Sequence, residues 1–120
     1  MSYCYLLDTN ILSDLVKHPK GKIFSKIQSI GEEKVCTSVV VACELRFGAE
    51  KNNSSRLKER IALILDNINV LSLDPPVDNY YAEVRTYLER QGTPIGGNDL
   101  IIAVHVVSSS KLVAKIKRPA

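Results

Sequence analysis

Cys4-Tyr5-Leu6-Leu7-Asp8-Thr9-Asn10-Ile11-Leu12 decides the fold. It opens as a short apolar run cut off by an acid, the pattern of a parallel strand buried on both faces that ends at a sheet edge. Asn10 is placed to cap a helix over Ile11 to Lys17, which Pro19 terminates. A strand that passes directly into a helix is the building unit of an α/β sheet, and the same alternation runs down the chain.

Lys22 to Ile30 carries Ile23, Phe24, Ile27 and Ile30 at helical spacing, and Gly31 stops it. Val35-Cys36-Thr37 reads as a second strand. Ser38 then opens a helix through Phe47, broken by Gly48 or by Asn52-Asn53. Ser55 caps an amphipathic segment with Leu57, Ile61, Ile64, Leu65 and Ile68 on one stripe. Val70-Leu71-Ser72-Leu73 is a third strand, and Pro75-Pro76 marks the turn after it. Val77 to Arg90 predicts a helix with Tyr80, Tyr81, Val84, Tyr87 and Leu88 on one side. After the loop Gly92 to Gly97, Asn98 opens an almost wholly apolar helix to about Val107, and Lys111 to Ala114 reads as a last strand. The expected architecture is a single three-layer α/β/α domain over residues 1–120 with a short parallel sheet.

The 120 residues weigh 13.3 kDa, the size of one domain, and their 45% apolar and 24% charged content is that of a globular chain. No apolar run is long enough to span a bilayer. The start lacks the charged region of a secretory signal, and three cysteines without CxxC spacing fit a reducing compartment, so the expected location is the cytoplasm. The net charge of +3 is unevenly placed. Residues 1–110 hold 12 Lys and Arg against 13 Asp and Glu, whereas the last ten hold Lys111, Lys115, Lys117 and Arg118 and no acid. The basic excess is a tail, not a face, and the body does not attract nucleic acid by bulk charge.

Chemistry is carried by acids. Asp8 follows the first strand, where open α/β sheets bind ligands, although an Asp there also serves as a turn or capping residue. Asp99 lies in the first turn of a helix continuing Leu100-Ile101-Ile102-Ala103-Val104; it complements the helix dipole, and it also stands at the mouth of a core element. Glu44 is the one carboxylate in Val39-Val40-Val41-Ala42-Cys43-Glu44-Leu45, on a solvated face or beside a compensating cation. Gathering such groups costs about 4 kcal/mol per close pair at an effective dielectric near 20, so something positive must join them. All-oxygen ligands select Mg2+ or Mn2+ over zinc, and neither His18 nor His105 stands at metal-ligand spacing from a cysteine or an acid.

Three motifs carry a resemblance. Leu7-Asp8-Thr9-Asn10-Ile11-Leu12 resembles the opening motif of PIN domains. Cys36-Thr37-Ser38 with Glu44-Leu45-Arg46-Phe47-Gly48-Ala49 resembles the second, and Gly92 to Gly96 with Asn98-Asp99-Leu100-Ile101-Ile102-Ala103 and His105 resembles the third. Together, from about Tyr3 to His105, they are similar to VapC toxins, the ribonuclease halves of bacterial type II toxin–antitoxin pairs. The resemblance implies metal-binding, catalytic acids at Asp8, Glu44 and Asp99, with Thr9 or Asn10 as polar support or as packing and capping residues. It implies Mg2+- or Mn2+-dependent hydrolysis of RNA, tRNA among the candidates, by a metal-activated water, with no nucleophilic side chain. It also implies a VapB-like antitoxin as partner and self-association as a homodimer. An apolar surplus between Ile11 and Ile30 is the expected seat of partner contacts.

Arg85 and Arg90 are candidate phosphate contacts, with solvated positions as the alternative, and His105 reads as a buried, hydrogen-bonded histidine. A phospho-acceptor receiver domain is set aside, because Asp8 has no adjacent acid. The departure from the family lies in residues 110–120, a divergent basic tail that reads as truncated or altered: no Asp, Glu, Asn or Gln follows Asp99, and Ala114-Lys115-Ile116-Lys117 stands where a fourth polar contributor belongs. The alternative expectation is therefore a catalytically impaired homologue that still binds its antitoxin.

Overall fold

The structure, a computed structural model, describes residues 5–109 and 114–115. Strands β1 (Tyr5–Leu7), β2 (Val35–Ser38), β3 (Asn69–Leu71) and β4 (Ala114–Lys115) form one sheet in the order β3-β2-β1-β4, and every pairing is parallel. Parallel neighbours need long crossovers, and helices supply them. These are α1 (Thr9–Lys17), α2 (Lys22–Ile30), α3 (Val39–Lys51), α4 (Ser55–Asp66), α5 (Val77–Arg90) and α6 (Gly97–Ser109). The α/β architecture is the one the strand–helix alternation predicts. The last strand falls at Ala114–Lys115; Cys4, the remaining tail residues and the side chains of the predicted fourth-contributor stretch lie outside the described residues.

Local chemistry sets most boundaries. Gly31 ends α2 at φ 105°, and its N–H reaches the Ile27 carbonyl at 2.8 Å. Ser38 caps α3, its hydroxyl accepting from Val40 N–H at 3.1 Å. Two caps differ from expectation by a position or two. Asp8, not Asn10, caps α1, because the backbone is still extended at Asp8 (ψ 177°) and turns helical directly after it. Ser54, not Ser55, caps α4 by accepting from Leu57 N–H at 3.2 Å. Helix α3 also runs through Gly48 to Lys51. A glycine costs about 1 kcal/mol there relative to alanine, less than the burial of Leu45 and Ala49 on either side returns. Strand β3 stops at Leu71 because its partner β2 ends at Ser38, opposite Leu71.

The buried apolar residues form two clusters. The larger joins Leu6, Leu7, Val35 and Cys36 of the sheet to Ile11, Leu12, Leu15 and Val16 of α1, Ile23 and Ile27 of α2, and residues of α3, α4 and α6. The smaller joins Val77 of α5 to Leu100 and Val104 of α6. Helix α6 thus contributes to both, as its nearly all-round apolar sequence requires. The apolar surplus expected between Ile11 and Ile30 is largely absorbed: six of its apolar side chains are core, and what stays open is Phe24, joined across a groove by Leu63 of α4. The predicted stripe on α5 divides. Tyr81 and Leu88 pack on the smaller cluster, while Tyr80, Val84 and Tyr87 are exposed. Among the described residues, no helix is long and apolar enough to cross a membrane.

Candidate active site

The carboxyl ends of β1 and β2 point into the α1, α3 and α6 side of the fold, and the chain is held tightly there. Thr37, fully buried in β2, donates its hydroxyl to the Leu7 carbonyl at 2.7 Å. That bond fixes the last residue of β1 and therefore the start point of Asp8. Asp8 is half-buried, and its Oδ1 accepts from Ile11 N–H at 2.9 Å. The capping reading of this acid is realised, and a side chain that caps a helix leaving a strand end is also placed beside the crevice beyond the sheet.

Glu44 projects from the middle of α3 and is half-buried, so it neither sits in the core nor lies on a fully solvated face. Its Oε1 accepts a short hydrogen bond from Thr9 Oγ1, and its Oε2 accepts from Asn98 Nδ2 at 3.2 Å. Asp99 is exposed in the first turn of α6. Asp8, Thr9, Asn10, Glu44, Asp99 and Ile102 line a single cavity of about 280 Å3. The three acids the sequence singles out, and both polar residues beside Asp8, are thus brought to one place from three separate elements. Asn98 was not among them. In sequence it opens the apolar helix and stands in the third motif beside Asp99, and nothing local reveals that it reaches a residue of α3.

Among the described residues, five lining side chains carry oxygen, Ile102 is apolar, and none is Lys or Arg. Such a donor set fits a hard divalent cation. At about 30 Å3 per water, the volume also accommodates an ion with several waters in its shell. Among the described residues, no three His, Cys, Asp or Glu side chains are gathered tightly enough to grip an ion directly. The acids stand around the space rather than against one another, which limits their mutual repulsion.

His105, on α6 two turns after Asp99, is buried as expected. Its Nε2 lies 3.0 Å from the Ser72 carbonyl and its Nδ1 2.8 Å from Ser38 Oγ. A carbonyl only accepts, so Nε2 carries the proton and Nδ1 accepts from the Ser38 hydroxyl. The same hydroxyl oxygen receives Val40 N–H. Burial lowers the pKa of this imidazole, against smaller opposing effects of the Ser72 hydrogen bond and the Asp74 charge. It is a structural latch between α6, the β2–α3 junction and the residue after β3. Burial likewise pushes the Cys36 thiol up to about 11, so it is an inert core group rather than a nucleophile.

Arg85 and Arg90 do not line the acidic cavity. They border a separate groove on α5 with Ala82, Thr86 and Glu89. Arg85 is paired with Glu89 at 2.8 Å and donates to the Tyr81 hydroxyl at 2.8 Å.

Comparison with known proteins agrees with this fold. The PIN domain family matches residues 5–111. The chain is 34% identical to Ribonuclease VapC2 of Haemophilus influenzae over 113 residues, covering 91% of this chain and 83% of that protein. It is 31% identical to the tRNA(fMet)-specific endonuclease VapC of Shigella flexneri, with the same coverage. Its fold superposes with a TM-score of 0.81 on the crystal structure of VapBC2 from Rickettsia felis bound to a promoter DNA fragment, at 26% identity, covering 88% of this chain and 80% of that one. Three carboxylates converging at the strand ends of a parallel sheet, in a chain so matched along its length, place it in the PIN-domain family, among the VapC ribonucleases.

Proposed function

We propose that this chain is a divalent-metal-dependent endoribonuclease toxin that hydrolyses RNA phosphodiesters in the cytoplasm and is neutralised by a VapB-like antitoxin. The observation that carries the reading is the convergence of Asp8, Glu44 and Asp99 on one cavity whose wall, among the described residues, holds no cationic side chain. Those three acids would hold Mg2+ or Mn2+. When bound, the ion supplies polarisation of a phosphoryl oxygen and a more acidic water.

The chain's own residues do the rest. Thr9 and Asn98 orient Glu44, and the cap to Ile11 N–H holds Asp8 at the strand end. Ile102 gives the cavity one dry wall. In the hydrolysis a water oxygen bonds to phosphorus, the bond to the departing ribose oxygen breaks, and a proton ends on that oxygen. No side-chain nucleophile is needed, in keeping with the high thiol pKa of Cys36.

The relatives' names as ribonucleases and endonucleases support activity, and the impaired-homologue alternative is not favoured. Transfer RNA is the proposed substrate class, supported by relatives named as tRNA(fMet)-specific. The VapBC complexes among the similar structures support the antitoxin partner, for which the apolar groove of Leu15, Phe24, Ile27, Leu63 and Ile68 offers a seat. The exposed Tyr80, Val84 and Tyr87 supply a face for homodimerisation. Arg85 and Arg90 are proposed as phosphate contacts beyond the cavity, on the groove of α5.

Purified chain incubated with a tRNA pool should cleave in Mg2+ or Mn2+ and stop on addition of EDTA. Asp99→Ala should abolish cleavage. Cleavage that survives both EDTA and Asp99→Ala would refute the proposal.

A further inference from the structure

The three acids of the cavity are tied together indirectly. Glu44 is the hub: one carboxylate oxygen takes its bond from Thr9, the neighbour of Asp8, and the other from Asn98, the neighbour of Asp99. Each outer acid is thereby coupled to the central one through the residue beside it in sequence. Thr9 makes the link from α1 to α3, and Asn98 makes the link from α6 to α3. Only the amide NH2 can donate to a carboxylate, so the carboxamide orientation at Asn98 is settled by its partner.

From this we infer that Asn98 is a positioning residue for Glu44, setting how the α6 end of the cavity faces α3 and so the affinity of the site for a divalent cation. The inference rests on the metal-dependent reading above. Its physical basis is general. Mutual repulsion pushes three carboxylates apart, and an uncharged donor between two of them restrains the central one without adding a competing cation. A lysine in the same place would occupy the carboxylates itself. A neutral donor that holds a ligating carboxylate is ordinarily worth about 10- to 100-fold in metal affinity. Asn98 is exposed and takes no part in either buried cluster, so its loss leaves packing untouched.

The test is titration of the full chain with MnCl2 by calorimetry, with urea unfolding in parallel. Wild type should bind Mn2+ and Asp99→Ala should not. Asn98→Ala should bind about tenfold more weakly or worse with an unchanged urea midpoint, and Asn98→Gln, which keeps the amide donor, should recover most of the loss. If wild type binds Mn2+ and Asn98→Ala stays within twofold of it, or if Asn98→Gln is as weak as Asn98→Ala, the positioning role is wrong while the metal site stands. If wild type and Asp99→Ala alike fail to bind, the metal reading falls and the inference with it.

Discussion

Replacing His105 with phenylalanine isolates the latch that docks α6. The ring is 2% exposed, and the exchange keeps an aromatic side chain while deleting the hydrogen bonds to Ser38 and to the Ser72 carbonyl. Ser72 is exposed, so its carbonyl recovers water and loses roughly 0.5–1 kcal/mol. Ser38 is fully buried and its proton is left without an acceptor, a cost of about 1–3 kcal/mol. The total, about 1.5–4 kcal/mol, is a large fraction of the ~5–15 kcal/mol that holds a domain of this size. The pH dependence supplies an independent signature. The folded-state pKa of His105 lies below its ordinary value of 6.5. Above that value both states are neutral and the contribution is fully present. As the pH falls through it, the unfolded chain takes up a proton that the folded chain resists, so stability declines, by at most about 1.4 kcal/mol per pH unit, until the folded pKa is reached. Urea unfolding followed by circular dichroism at pH 7.5 and pH 5.5 reads both effects. Wild type should lose stability between the two, and His105→Phe should be weaker at pH 7.5 but lose less on acidification. A variant within 0.5 kcal/mol of wild type, by the ~1 kcal/mol scale of a single hydrogen bond, or one that keeps the full acid-induced loss, would refute the latch.

Three further outcomes follow from single residues. Asp8→Asn keeps an acceptor for Ile11 N–H and should leave the urea midpoint nearly unchanged while removing RNA cleavage, whereas Asp8→Ala should also cost about 1 kcal/mol of stability; equal stability of the two variants would show that the cap is idle. Gly48→Ala should stabilise α3 by about 0.5–1 kcal/mol, since a Cβ there meets nothing within 4 Å, and a lowered thermal midpoint would contradict this. Gly31→Ala should destabilise by about 1–2 kcal/mol, because φ is 105°, a conformation a residue with a Cβ rarely adopts, while the exposed Glu33 carboxylate can swing away from the new methyl; unfolding at the wild-type urea midpoint would show that the turn relaxes freely.

What the amino-acid sequence determines by itself is local. Periodicity and stop signals place α2 at Lys22–Ile30 and α5 at Val77–Arg90, and they make α6 a core helix, because these depend on residues within one or two turns. The choice of Asp8 over Asn10, or Ser54 over Ser55, as cap depends on where the chain leaves its neighbour, and composition is silent on that. The three acids were legible as candidates one at a time, and through the resemblance of their motifs as a set. Their meeting in one cavity is a product of parallel register, with Leu7 opposite Thr37 and Thr37 opposite Val70. The tie from Asn98 to Glu44 spans 54 positions and the bond from His105 to Ser38 spans 67. The exposure of Tyr87 was equally invisible, since a stripe on α5 is apolar whether or not a second helix covers it. A hydrogen bond or a packed face needs a partner in space, and only the folded sheet, with its crossovers, brings those partners within reach.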